Sequence, residues 1–190
     1  MRNDRPMQAA PEKNTQEERC GLVQVFTGDG KGKTTAALGT AVRALGHGLR
    51  VYVAVFMKGD YPYGEWDALS TFPDATVERF GFREFTDPNN VKPEEREQAE
   101  KALSAARKAM LSGTYDVVIL DEVNVASAWK LINTDEVVGL IKDRPANVEL
   151  ILTGRSADKK LIEIADLVTE CIKIKHPFDK GTLARKGIEF

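Results

Sequence analysis

Cysteine is nearly absent: the 190 residues contain two, Cys20 and Cys171. Two thiols cannot build a disulfide framework or a four-cysteine metal site, and idle free thiols are expected rather than a single bridge. No apolar run approaches the roughly 18 residues that a membrane span requires. The opening stretch, MRNDRPMQAAPEKNTQEERC, is polar throughout and has no apolar core of a secretion signal. Charge of one sign is not in excess either. Lys and Arg number 27 against 29 Asp and Glu, a net charge of -2, so nothing draws the whole chain to nucleic acid or to an anionic membrane. There is no internal repeat and no low-complexity tract. These absences predict a cytoplasmic protein with no nucleic-acid and no membrane partner.

What is present is ordinary globular composition, 42% hydrophobic and 29% charged, in a chain long enough for one substantial core. Residues 1–19 carry few apolar anchors and read as a flexible tail; residues 20–190 read as a single domain. Short apolar runs at 22–27, 50–57, 76–80, 116–121, 148–153 and 167–175 read as strands. Helical segments are expected at about 33–45, from Pro93 onward, at 123–132, 135–143 and 157–165. The helix from Pro93 shows an apolar stripe at Ala99, Leu103, Ala106 and Met110. Strand–helix alternation predicts an α/β fold with a mostly parallel sheet and helices on both faces. Ligands of such sheets bind beyond the carboxyl ends of the strands.

One such end carries FTGDGKGKTT, Phe26 to Thr35. A strand, a glycine-rich turn and a helix opening on Lys-Thr make a nest of backbone N–H groups at the positive end of a helix. Gly28, Asp29, Gly30, Lys31 and Gly32 form the turn, Lys33 is placed to reach phosphate oxygens, and the Thr34 hydroxyl to ligate magnesium. The competing reading is a glycine turn with solvated lysines. A dinucleotide fingerprint fails, because the glycine spacing is wrong and no acidic residue follows the second strand to hold a ribose. One departure stands out: the phosphate-loop pattern expects glycine where this chain has Thr27. The loop is therefore expected to leave its strand on a different path.

Other strand ends supply partners. YDVVILDEVN places Asp121 and Glu122 after four apolar residues, where carboxylates coordinate the magnesium of a nucleotide; two exposed acids are the alternative. Arg155 follows ILTG and suits bidentate phosphate binding, against a solvated surface arginine. KHPFDKG gathers Lys175, His176, Asp179 and Lys180 around a proline turn, either a cover for a substrate edge or a polar loop. His47, between two glycines, reads as part of a helix end. Phe80, Phe82 and Phe85, with Trp66 nearby, lie in the stretch poorest in regular structure. They read as core or rim packing in a region where substrate loops are found.

Together FTGDGKGKTTAALGTAVRALGHG, VILDEVNVA, LTGR, ADLVTE and KHPFDKGTLARKGIEF resemble the ATP:cob(I)alamin adenosyltransferases, the corrinoid adenosyltransferases of phosphate-loop type, over about residues 20–190. The resemblance implies a P-loop NTPase-like (RecA-like) fold. It implies transfer of the 5′-deoxyadenosyl group of ATP to the cobalt of a reduced corrinoid, with release of triphosphate. Gly28 through Thr35 would bind triphosphate, with ATP reversed in its loop, a setting that suits Thr27. Thr34 and Glu122 would hold Mg2+ (or Mn2+), with Asp121 as a further ligand or as their support. Lys33, Glu122 and Arg155 would act on the leaving group. Phe82 and Phe85 are the candidates for displacing the lower axial ligand of the corrinoid, and His176 is a further corrinoid candidate. The stretch RFGFREFTDPNN is shorter than the phenylalanine-threonine-tryptophan form of some relatives and has no tryptophan. A reductant such as a flavodoxin and a homodimer, with the tail over a partner's site, are also implied. A P-loop hydrolase or kinase, or a nucleotide sensor without turnover, are the competing functions.

Overall fold

The computed structural model describes residues 20–190; the expected tail, 1–19, lies outside the described residues. Six strands are formed: β1 (Val23–Thr27), β2 (Val51–Val55), β3 (Ala75–Arg79), β4 (Val117–Asp121), β5 (Glu149–Thr153) and β6 (Leu167–Glu170). They make one parallel sheet in the order β3-β2-β4-β5-β1-β6. Helices α1 (Lys33–Gly46), α2 (Gly64–Leu69), α3 (Pro93–Leu111), α4 (Val123–Ala128), α5 (Thr134–Lys142) and α6 (Lys159–Ile164) connect them. This is the doubly covered α/β architecture that the sequence predicts.

Period-two alternation sorts the strand residues between two cores. Val51, Val53 and Val55 of β2 pack with Ala37, Ala41 and Ala44 of α1 and with Trp66 and Leu69 of α2. Tyr52 and Ala54 face the opposite core with α3, α4, α5 and α6. The apolar stripe Ala99, Leu103, Ala106 and Met110 of α3 is buried there. Each large side chain so enclosed contributes on the order of 1.5–3 kcal/mol through its burial. Small alanines on α1 let that helix lie close to the sheet and bring its N-terminus to the end of β1.

Four expectations change. The stretch 58–90, read as the poorest in regular structure, contains α2, whose Trp66 is 1% exposed and takes the core side of the core-or-rim expectation. The helix expected at 123–132 stops at Ala128, because Lys130 takes a left-handed conformation (φ 58°). The helix expected at 157–165 begins at Lys159, where the Asp158 side chain caps the Lys160 N–H at 2.8 Å. The strand expected at 167–175 ends at Glu170. Ile172 and Ile174 beyond it are 71% and 94% exposed, with no layer to bury their face. The backbone there turns onto the loop after β1 instead. His47 sits at the end of α1 as expected. Both cysteines are free thiols, Cys20 exposed and Cys171 half-buried.

Candidate active site

β1 delivers Thr27 to the carboxyl edge of the sheet, and the chain turns through Gly28–Gly32 into α1. The first helical residue follows Gly32 (φ 122°), which provides no side-chain cap, and no acidic residue lies in the first turn. The amides opening this 14-residue helix therefore have no capping partner within the helix end, the arrangement that binds anions. Lys33 is buried and its Nζ donates to the Gly30 carbonyl at 2.6 Å. Burial lowers its pKa, opposed chiefly by the nearby Glu122 carboxylate.

Two loop glycines have a structural cause as well as a chemical one. A Cβ on Gly28 (φ 92°) would lie 2.6 Å from the Cys171 carbonyl oxygen, and one on Gly30 2.7 Å from the carbonyl oxygens of Cys171 and Ile172. The chain leaving β6 presses on the loop there, and the Gly30 N–H donates to Cys171 O at 2.6 Å. Gly30→Ala is expected to cost about 1–3 kcal/mol, as overpacking against backbone does, and to weaken nucleotide binding by shifting the loop. Urea denaturation and an ATP titration of the same variant check both. Thr27 also finds its reason. It is buried, and its hydroxyl accepts from Ala157 N–H at 3.1 Å, tying the segment that carries Arg155 to the root of the loop.

β4 ends in the charged centre of the site. Asp121 is fully buried. Its Oδ1 accepts from the Thr34 hydroxyl at 2.8 Å and from the Thr153 hydroxyl at 2.7 Å, and its Oδ2 pairs with Lys58 Nζ at 2.7 Å. Glu122 follows in a left-handed conformation (φ 64°), its N–H donating to Thr153 Oγ1 at 3.0 Å. Burial raises the Glu122 pKa, and Lys58 opposes that most strongly.

A cavity of about 530 Å³ joins these parts, within the range of small-molecule sites. Asp29, Gly30, Lys31, Gly32, Lys33, Thr34 and Thr35 form one wall, and Lys58, Glu122, Arg155 and His176 line it from other strand ends. Asp121 and Gly28 do not line it; Asp121 reaches the wall through Thr34. Phe82 and Phe85 are not in this wall. Phe85 is 80% exposed and packs on Tyr61 (centroids 5.9 Å apart), which also meets Tyr63 at 4.8 Å and Phe190 at 5.6 Å. Phe82 is exposed, with no aromatic partner among the described residues. His176 Nδ1 accepts from Phe178 N–H at 3.2 Å.

Two features escape sequence reading. The C-terminal segment lies across the loop: Lys31 Nζ donates to the Ile188 carbonyl at 2.9 Å and to Glu189 at 3.0 Å. Arg185 and Lys31 together pull the Glu189 carboxyl down to about 2. The other feature is Lys58, which no motif marks; its only sequence signal is its position after the buried strand at 50–57.

A parallel sheet, a glycine loop running into an uncapped helix and carboxylates at the neighbouring strand end define a phosphate-loop nucleotide-binding protein. The profile of the family described as ATP:corrinoid adenosyltransferase BtuR/CobO/CobP matches residues 19–190. The chain belongs to that family. It is 37% identical over 175 residues to the corrinoid adenosyltransferase of Escherichia coli (strain K12), covering 92% of this chain and 88% of that protein. It is 36% identical to the corrinoid adenosyltransferase CobA of Salmonella typhimurium with the same coverage. It is also 37% identical over 178 residues to that of a Sinorhizobium species, covering 93% and 83% of the two chains. These relatives favour the transferase over the hydrolase or kinase reading of the loop. No helix among the described residues is long and apolar enough to cross a membrane.

Proposed function

We propose that this chain transfers the 5′-deoxyadenosyl group of ATP to the cobalt of a reduced corrinoid and releases triphosphate. The observation that carries the reading is the uncapped start of α1, with Lys33, Arg155 and Glu122 facing one cavity. Co(I) holds the nucleophilic electron pair itself, so the protein needs no general base. The pair attacks C5′, the C5′–O bond breaks, and its electrons leave with triphosphate. Catalysis then consists of aligning C5′ and stabilising the departing charge. Loop amides and Lys33 meet that charge from one side and Arg155 from another.

The residues present fit a divalent cation. Among the described residues no group of three or more His, Cys, Asp or Glu side chains is gathered to hold one unaided. Mg2+ is commonly bound by one or two carboxylates together with substrate phosphates. Thr34 and Glu122 offer hard oxygen donors beside the loop, and Asp121, with both oxygens already accepting, orients Thr34 rather than binding directly. When bound there, Mg2+ or Mn2+ would neutralise charge on the leaving triphosphate.

We place the corrinoid at the aromatic mouth formed by Tyr61, Phe85 and Phe190, with His176 at the cavity wall. Phe85 is the better candidate for displacing the lower axial ligand, because it is exposed yet joined through Tyr61 to the cavity. Phe85→Ala is expected to slow adenosylation from Co(II) with a weak reductant by about 10-fold, the scale of one lost aromatic contact. Reaction from preformed Co(I) changes little, and equal losses in both assays contradict the role. A flavodoxin-type reductant is the electron source expected. The outer edge of β6, with Leu167 and Val168 about two-fifths exposed, supports a homodimer. We take the protein to act in the cytoplasm. The test of the reading is whether ATP consumption needs the reduced corrinoid; steady ATP hydrolysis without it contradicts the proposal.

A further inference from the structure

Lys58 sits between two strained strand ends. Met57, two residues beyond β2, takes a left-handed conformation (φ 61°) that favours glycine, and Glu122, directly after β4, does the same (φ 64°). The two strands are neighbours, with Val55 opposite Asp121. Each such residue costs on the order of 1–3 kcal/mol and persists only where its surroundings enforce it. Gly81 allows the turn at Met57: a Cβ there would lie 2.8 Å from Met57 Cα. The Lys58 N–H then donates to Phe80 O at 3.1 Å. Both distortions aim side chains at one point. Lys58 Nζ lies 2.7 Å from Asp121 Oδ2 and 3.6 Å from Glu122 Oε1. Tyr63 and Trp66 close over it with ring centroids 5.1 and 5.9 Å away, and the lysine side chain is 15% exposed.

We infer that Lys58 is an internal counter-ion that keeps the Asp121–Glu122 pair from taking up a divalent cation until nucleotide arrives. The inference rests on the reading of Thr34 and Glu122 as the metal-holding residues. Without a counter-ion, two adjacent carboxylates, one fully buried, would attract any divalent cation. With Lys58 between them these three side chains carry one net negative charge, and the ammonium adds its repulsion of a second cation to that of Lys33 and Arg155, which also act on Glu122. A metal that arrives on phosphate brings its own anionic ligands and is pulled by Lys33 and Arg155 through those phosphates. It then needs only Glu122 and Thr34 from the protein. Lys58 stays with Asp121 and keeps its other oxygen turned to Thr34. The site thereby accepts the metal–nucleotide complex as a unit. Lys58 acts through the carboxylates and is a positioning residue.

The test is a Mn2+ titration of the full-length protein followed by electron paramagnetic resonance, with and without ATP. Without nucleotide, the wild type and Lys58→Arg are expected to leave Mn2+ free. Lys58→Gln, whose amide can still donate to Asp121, binds one Mn2+ at least ~10-fold more tightly, a modest result for removing a unit charge at this range. The gain disappears in Lys58→Gln/Glu122→Gln. Stoichiometric Mn2+ uptake by the nucleotide-free wild type overturns the inference whatever the variants do. So does a gain that survives loss of Glu122, or no gain in a folded Lys58→Gln or Lys58→Met. Failure of the underlying metal reading looks different: Mn2+ with ATP then gives a spectrum that Glu122→Gln leaves unchanged.

Discussion

Lys33→Ala is expected to lower kcat/KM for ATP by roughly 10²- to 10³-fold, the loss found when one preorganised donor to a developing negative charge is removed. The leaving triphosphate gathers charge as the C5′–O bond breaks. Lys33 is the loop cation already turned inward, donating to Gly30 O at 2.6 Å. Lys31, the other loop lysine, is already engaged by the Ile188 carbonyl and the Glu189 carboxylate and does not replace it. Burial costs Lys33 part of its preference for the charged form, which makes it responsive to an arriving anion. Folding stability changes little by comparison, since the side chain makes one bond to a loop carbonyl. Steady-state kinetics with preformed Co(I) corrinoid and a denaturation curve check the prediction; near-normal turnover refutes the loop assignment.

Asp121→Ala is expected to be the most destabilising single change in the site, by about 3–5 kcal/mol, because removing one partner of a buried pair strands the other. Lys58 loses its contact at 2.7 Å, and the hydroxyls of Thr34 and Thr153 lose a shared acceptor. Asp121→Asn keeps the shape and serves as the control. Its carbonyl oxygen can still face the two threonines, but its amide then faces the Lys58 ammonium as donor against donor. Urea denaturation should rank wild type above Asn and Asn above Ala. A loss under about 1 kcal/mol for Ala would mean that Asp121 is not the hub described here.

How legible this was depends on how local each signal is. The loop, Thr34 and Asp121–Glu122 could be read because each lies at a strand end with its motif contiguous in the chain. The sheet could be read because β2 and β4 are buried on both faces and so are unbroken apolar runs. Lys58 could not, because its meaning comes from pairing β2 beside β4 and from the left-handed Met57, neither of which has a composition signature. Thr27 departs from the phosphate-loop pattern, and the sequence could not show that its hydroxyl anchors Ala157, 130 positions away. The roles of Gly28 and Gly30 were half visible. Their freedom was apparent, but the Cys171–Ile172 backbone that requires it was not, because that segment read as more of β6. The core-or-rim reading of Trp66 fits its burial, but the helix that carries it was not legible, because six residues opening on glycine give too short a period to detect.

Adenosyl transfer to the corrinoid is put to the test by anaerobic incubation of the protein with MgATP and reduced cobalamin, following the corrinoid spectrum and the phosphate product together. An adenosylated corrinoid and triphosphate are expected in equal amounts. ADP and orthophosphate with no adenosylated corrinoid would contradict adenosyl transfer.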